Sequence, residues 1–335
     1  MIGELLGTAA TQNRWAIILA GGEGMRLRSF VHRLRGDSLP KQYVQLFGEQ
    51  SMLEATLRRA QKLIPSERQL VVVTANHFDY VEVAQQLARF PKICVAAQPT
   101  NRDTGWGLLL ALAHLYQHHP TATVAMFPSD HFVEEEELFL AHVDAACRLV
   151  EQDPSKMVLL GIAPNGPETD YGYIIADRHW QDAFPFGARG VTCFVEKPQP
   201  EFARKLMLQG GFWNTMVTVF NIATLLQHVR GICPANFCRF EKICAAHGDK
   251  LASVVDQVFA QAEPMNFSRV ILQTLAAGRE RALLVLPVRG VHWSDWGTEE
   301  RIMKTLTHKN NCAREIELGG VQLNSLLKRN LPRSA

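Results

Sequence analysis

Residues 19–27 read LAGGEGMRL and follow the apolar run Trp15-Ala16-Ile17-Ile18. Glycines at Gly21, Gly22 and Gly24 remove the Cβ atoms that would keep backbone N–H groups away from an anion, and Arg26 can add positive charge from the same side. The chemistry this suggests is capture of phosphate; the plainer reading is a tight bend after a strand. Two familiar phosphate loops are excluded, because the segment lacks the GK[ST] ending of a P-loop and Leu27 stands where a dinucleotide fingerprint needs its third glycine. A basic stretch follows, Arg26, Arg28, Arg33, Arg35 and Lys41, interrupted by Asp37 and closing on LPKQY. Taken alone it reads equally well as a solvated basic loop. A second cluster, Cys233, Cys238, Cys244 and His247, lacks the C-x₂-C spacing of a zinc site and reads as small thiols on helices.

A turn of this kind needs a scaffold, and the composition allows a large one. The 335 residues are 47% hydrophobic and 20% charged, enough for one big or two modest packed domains. Thirty-five Lys+Arg against 33 Asp+Glu leave a net charge of +2, which provides no broad basic field for nucleic acid. The start, MIGELLGTAATQNRW, lacks a basic segment followed by a long apolar one, and stretches such as Leu108–Leu112 are far too short to span a bilayer. A cytoplasmic protein without membrane or nucleic-acid partners is expected. Seven cysteines, an odd number, fit reduced thiols better than a disulfide framework.

The first half alternates β-branched runs (Ala16–Leu19, Leu70–Thr74, Ile93–Ala96, Thr123–Phe127) with stretches of helical spacing (Ser51–Leu63, His77–Phe90, Thr104–His118). That rhythm predicts an α/β protein with a doubly wound, mostly parallel sheet flanked by helices. Glu134–Glu137 reads as the exposed first turn of another helix, reaching about Asp153. After Met157–Gly161 come shorter strands, Tyr171–Ala176, Gly190–Glu196 and Phe212–Phe220, then helices from about Ile222 to Thr274 and a strand at Ala282–Val288. Without a linker, low-complexity tract or repeat, the second half is expected to extend the first sheet. The expected organisation is an extension over 1–14, one domain over 15–306 and a short tail over 307–335. Ligands of open α/β sheets sit beyond the strands' carboxyl ends, where the glycine turn lies.

Gly21-Gly22-Glu23-Gly24-Met25-Arg26-Leu27 is followed by Pro40-Lys41-Gln42, and then by QPTNRDTG (98–105), FPSDHF (127–132), TDYGYI (169–174), FVEKP (194–198), FWNTMVTVF (212–220) and WSDWGT (293–298). In this order the segments resemble the sugar nucleotidyltransferases, specifically the mannose-1-phosphate guanylyltransferases, over roughly Trp15 to Leu306. The resemblance implies a Rossmann-like nucleotidyltransferase fold, and the tail lacks the hexapeptide repeats of the β-helix domain that some relatives carry. It also implies an enzyme that joins an NTP, GTP above all, to a sugar 1-phosphate, above all mannose 1-phosphate, with Mg²⁺, releasing pyrophosphate.

By that resemblance, Ala20, Gly21, Gly22, Gly24, Gln98, Asp103 and Thr104 contact the nucleotide, while Arg26 and Lys41 hold the triphosphate and departing pyrophosphate. Lys197 grips the phosphate of the incoming sugar, and Gly172, Glu196 and Asn214 bind sugar hydroxyls. Asp130 and Asp295, each at the end of an apolar strand, hold the metal; Mg²⁺ needs only one or two carboxylates when phosphates and waters complete its shell. Such chemistry asks the protein for positioning and charge neutralisation rather than a covalent partner.

Three departures from the family pattern bear on specificity. RNTA becomes Arg102-Asp103-Thr104-Gly105, leaving Asp103 or Gln98 to read the base; WNSG becomes Trp213-Asn214-Thr215-Met216; and LWPL becomes Leu27-Arg28-Ser29-Phe30. The competing readings are a sugar-nucleotide sensor that keeps the fold without catalysis, and the same chemistry on another sugar phosphate or NTP. A homo-oligomer is left open.

Overall fold

Short apolar runs become strands β1 (Arg14–Leu19), β2 (Gln69–Thr74), β3 (Cys94–Gln98) and β4 (Thr123–Pro128). Helices Met52–Gln61, Val81–Ala88 and Asp103–Tyr116 fill the intervals. The computed structural model describes residues 13–46, 48–177, 184–278 and 281–310, with two further short strands at 317–318 and 321–322. The expected amino-terminal extension through residue 12 and most of the expected tail, with Cys312, lie outside the described residues. Arg14 is already the first residue of β1, and the helix Glu299–Asn310 runs past Leu306.

The remaining strands are β5 (Phe132–Val133), β6 (Met157–Ile162), β7 (Gly172–Ala176), β8 (Arg189–Glu196), β9 (Phe212–Asn221), β10 (Leu283–Val288) and β11 (Trp293–Ser294). Nine of them form one sheet in the order β3-β2-β1-β4-β9-β6-β10-β8-β7, so strands from both halves of the sequence share it. The expectation of a mostly parallel sheet needs correction. β1 pairs in parallel with β2 and β4, β2 with β3, and β6 with β10. β9 lies antiparallel between β4 and β6, and β8 antiparallel between β10 and β7, so the sheet is mixed. β7 also pairs with the start of β9, which closes the later strands into a ring of ladders. Among the described residues no α-helix lies between β6 and β7 or between β7 and β8, where a parallel neighbour would require a long crossover.

Both faces of the sheet are covered. Alternate residues of β1 enter different clusters: Ala16 and Ile18 pack under the helix Met52–Gln61, while Ile17 packs with Leu70, Trp106 and Leu109 on the other face. β2, covered on both sides, is buried along its whole length, as its run of valines demands. Local sequence sets the helix starts. Ser51 and Glu54 form a reciprocal capping box, and Glu136 and Glu137 open the helix Glu136–Gln152 as the acidic run requires, paired with Arg59 and Lys62. Among the described residues no helix is long and apolar enough to cross a membrane.

One small feature outside the main sheet matters for chemistry. β4 and β10 are separated by two strands, yet the segments after them meet: β5 pairs with β11, Val133 opposite Trp293 and Phe132 opposite Ser294. Phe132 stacks on Trp296, their ring centroids 4.9 Å apart. This clamp brings two distant strand ends to one place.

Candidate active site

A cavity of about 470 Å³ opens beyond the carboxyl ends of β1 to β4. Its wall takes in Gly21, Gly22 and Arg26 from the glycine turn, Gln98, Asp103 and Thr104 after β3, and Asp130 and Asp295 at the clamped strand ends. Gly172, Glu196, Lys197 and Asn214 complete it on the β7–β9 side. Of the site residues expected from sequence, Ala20, Gly24 and Lys41 do not line it, and they act behind the wall.

The glycine turn is held from behind. Gln42 Nε2 donates to the carbonyls of Ala20 and Gly22 at 2.8 and 2.7 Å, and Thr74 Oγ1 donates to the carbonyl of Gly21 at 2.9 Å. The carbonyls are thus drawn into the protein. The N–H groups of Gly21, Gly22 and Gly24 donate to no backbone acceptor among the described residues, the condition an anion nest needs. Gly24 has φ 61°, and a Cβ there would stand 3.0 Å from the Lys41 nitrogen, so a glycine is required on both counts.

The same contacts orient Gln98. Because the Gly21 carbonyl only accepts, the Thr74 hydroxyl proton goes there, and Thr74 Oγ1 must accept in turn from Gln98 Nε2 at 2.9 Å. Gln98 is 2% exposed, and its Oε1 is left without a hydrogen-bond partner in the cavity wall. A buried acceptor left unpaired is a group that a ligand donor or an ordered water can satisfy. Asp103 is differently placed: its Oδ1 accepts from Thr104 N at 2.6 Å and from Asn266 Nδ2 at 3.3 Å. Of the two base-reading candidates, Gln98 has the free group.

Lys41 is buried behind the cavity wall. Its side chain is 7% exposed, and Nζ meets Asp130 Oδ2 at 2.9 Å, the Asp295 carbonyl at 2.7 Å and the Trp296 carbonyl at 3.2 Å. An ammonium has three protons, and here all three have acceptors. Lys41 thereby ties the two acidic strand ends together. Asp295 Oδ1 accepts from Tyr171 Oη at 2.8 Å, Gly297 N at 2.9 Å and Arg301 Nη1 at 3.0 Å. Its Oδ2 has longer contacts, 3.2 Å to Arg301 and 3.3 Å to Arg26. A Cβ on Gly297 would lie 2.3 Å from Asp295 Oδ2, so only glycine leaves room for the carboxylate. Burial pushes both acids toward protonation, but the Lys41 ammonium outweighs it for Asp130, and Lys41 with Arg301 holds the Asp295 pKa to about 2. Burial likewise drives His131 down to about 4, so it stands neutral beside Asp130.

The residues fit a hard divalent cation. Among the described residues Asp130 Oδ1 is paired only with His131 Nε2, at 3.8 Å, and Asp295 Oδ2 is the loosely held oxygen of its pair. Among the described residues no three His, Cys, Asp or Glu side chains gather into a self-sufficient metal site, so phosphate and water oxygens would have to complete the shell. That is the habit of Mg²⁺.

Arg301 was not singled out from sequence. It lies in the first turn of the helix Glu299–Asn310, where the helix dipole disfavours a cation, and that misplacement was the available signal that it serves a local acid. It pairs with Glu168 at 2.6 Å as well as with Asp295. Arg26, half exposed, bridges Asp170 at 2.7 Å and Asp295. On the β7–β9 side, burial raises the Glu196 pKa against the pull of Lys197 and Arg269. A Cβ on Gly172 would sit 2.8 Å from Glu196 Oε2.

Backbone strain gathers here as well. Five non-glycine residues have positive φ among those described, and Asp103, Lys197 and Met216 line the cavity while Trp296 follows Asp295. Each such position costs about 1–3 kcal/mol and persists where the surroundings impose it, most often at functional sites.

A mixed α/β sheet thus sets a glycine-rich turn and two clamped acids around one cavity. The chain belongs to the nucleotidyl transferase family, whose model matches residues 15–310. It is 34% identical over 221 residues to the xanthan biosynthesis protein XanB of Xanthomonas campestris pv. campestris, covering 65% of this chain and 44% of that protein. It is 27% identical over 289 residues to a mannose-1-phosphate guanylyltransferase of Klebsiella pneumoniae, covering 84% and 58%. The chain thus spans about half the length of these relatives. A crystal structure from Thermus thermophilus, described as a mannose-1-phosphate geranyltransferase, aligns with TM-score 0.71 at 28% identity over 85% of this chain and 76% of that one. UDP-glucose pyrophosphorylase in complex with UDP-glucose, at 13% identity and TM-score 0.56 over 90% and 99% of the chains, shares the fold.

Proposed function

We propose that this chain transfers a nucleotidyl group from GTP to mannose 1-phosphate, giving the nucleotide sugar and pyrophosphate. The observation that carries the reading is the arrival of Asp130 and Asp295 at the cavity that also holds the glycine turn and Lys197. A phosphate oxygen of the sugar 1-phosphate attacks the α-phosphorus in line; the bond to the bridging α–β oxygen breaks, and its electron pair leaves with pyrophosphate. No covalent bond to the protein forms. The turn amides receive phosphate charge, and Arg26, free to swing because it is half exposed, exchanges its carboxylate partners for the departing pyrophosphate. Lys197 faces the sugar phosphate, and Glu196, Gly172 and Asn214 face its hydroxyls. Mg²⁺ held by Asp130 and Asp295 would neutralise charge developing on the α-phosphate.

Guanine presents N1–H and N2–H donors that match the unpaired Gln98 Oε1. Uracil N3–H and the amino groups of adenine and cytosine also donate, so Gln98 accommodates guanine without selecting it by itself, and the base assignment rests on the relatives. Relatives named as mannose-1-phosphate guanylyltransferases support both substrates. The test is pyrophosphate release with each of the four NTPs and mannose 1-phosphate. Preference for GTP is expected, and a preference for UTP or dTTP overturns the base assignment. Binding of substrates without any release would favour the sensor reading instead.

A further inference from the structure

Met216 occupies a place in the sheet that imposes its conformation. β6 and β9 pair Leu159 with Thr218 and then Gly161 with Asn214, so Thr215, Met216 and Val217 span what Leu160 alone spans in β6. A bulge of this kind re-aims a side chain. Thr215 Oγ1 pins it by donating to the Leu160 carbonyl at 2.8 Å, and Met216 stands within it at φ 62°, in the left-handed region that favours glycine. The thioether is thereby delivered to the cavity wall that Asn214, Glu196 and Lys197 share.

There it engages the polar groups around it. Asn214 Oδ1 accepts from the Met216 N–H at 3.2 Å, while Asn214 Nδ2 and Ser268 Oγ donate toward Met216 Sδ at 3.7 and 3.3 Å. Asn214 and Ser268 are 4% and 1% exposed, so water does not compete for them. A thioether donates nothing and accepts weakly. A sugar hydroxyl pressed against it would lose its water partners without replacement, whereas a C–H or methyl group would gain contact with a polarizable sulfur.

We propose that Met216 determines which sugar this chain accepts, selecting a sugar 1-phosphate that carries hydrogen or methyl instead of hydroxyl at the ring carbon meeting the thioether. The inference rests on the sugar-phosphate transfer reading above and narrows its acceptor, with a deoxy relative of mannose 1-phosphate preferred and mannose 1-phosphate itself the poorer substrate. Its test is the kcat/KM for pyrophosphate release from GTP with mannose 1-phosphate and its 2-, 3-, 4- and 6-deoxy analogues, in the wild type, Met216→Gly and Met216→Leu. One deoxy analogue should exceed the parent sugar by about tenfold or more, the scale of a pocket that excludes one group. Met216→Gly, which relieves the backbone, should reverse that single preference and leave the order of the other analogues intact. Met216→Leu, which keeps the bulk, should keep the wild-type order. A wild type that prefers the parent over every analogue, or a preference that survives Met216→Gly, overturns the proposal. Absence of pyrophosphate from every sugar in all three proteins overturns the transfer reading itself, and this inference with it.

Discussion

Replacing Lys41 by methionine separates two jobs for that residue, a buried bridge and a phosphate ligand. The substitution keeps most of the side-chain volume but removes the ammonium, leaving the Asp130 carboxylate uncompensated and the carbonyls of Asp295 and Trp296 without their donor. Breaking a buried ion pair from one side costs about 3–5 kcal/mol, and an orphaned buried carbonyl about 1–3 kcal/mol. The Asp130 side chain is 30% exposed, so water recovers part of this, and a net loss of about 3 kcal/mol is expected. At ~2 °C per kcal/mol, the low end of the range, for a large domain, melting should fall by about 6 °C. The pH dependence should change as well. Asp130 is held below the ordinary carboxylate range, so its stabilising contribution is present above the unfolded value of about 3.9 and is lost as pH falls through its folded value. Methionine removes the attraction of Lys41 while burial remains, the folded pKa rises, and acid unfolding moves to higher pH. Urea titrations of both proteins between about pH 2.5 and 7 read both effects. A loss below about 0.5 kcal/mol with an unchanged acid limb would refute the bridge and return Lys41 to the substrate phosphates.

Asp130→Asn should lower pyrophosphate release at least about 10²-fold while the far-ultraviolet circular dichroism stays unchanged, and chelation of divalent ions should abolish wild-type release until Mg²⁺ is restored. An unaffected variant, or chelator-resistant turnover, would remove Asp130 from the proposed metal site. Gly105→Ala restores the usual family residue, yet a Cβ there would stand 2.6 Å from the Met265 carbonyl oxygen and 2.4 Å from its Cε. Overpacking of this kind should cost about 1–3 kcal/mol in thermal or urea unfolding, and a neutral result would mean that the Met265 segment yields.

Much of this protein was legible one residue at a time. The valine and isoleucine runs, the helical spacing between them, the acidic first turn at Glu136 and the glycine turn all depend on local sterics, periodicity and charge, and these are written into neighbouring residues. The mixed direction of the sheet was not, because a strand such as β9 finds its partners far away in sequence and either orientation satisfies its own apolar pattern. The departures from the family pattern became intelligible only through neighbours: Gly105 lies beneath Met265, and Asp103 is tied to Asn266.

The sequence by itself determined the kinds of groups available: glycines without Cβ atoms, two aspartates at strand ends, and cations in reserve. Only the tertiary structure decided their assignments, turning Lys41 toward the acids, leaving the Gln98 oxygen buried and unpaired, and bringing Arg301 onto Asp295. The reason is physical. A side chain's chemistry is fixed by its own atoms, but the partner that saturates its protons or lone pairs is chosen by the fold, from residues that here lie hundreds of positions away.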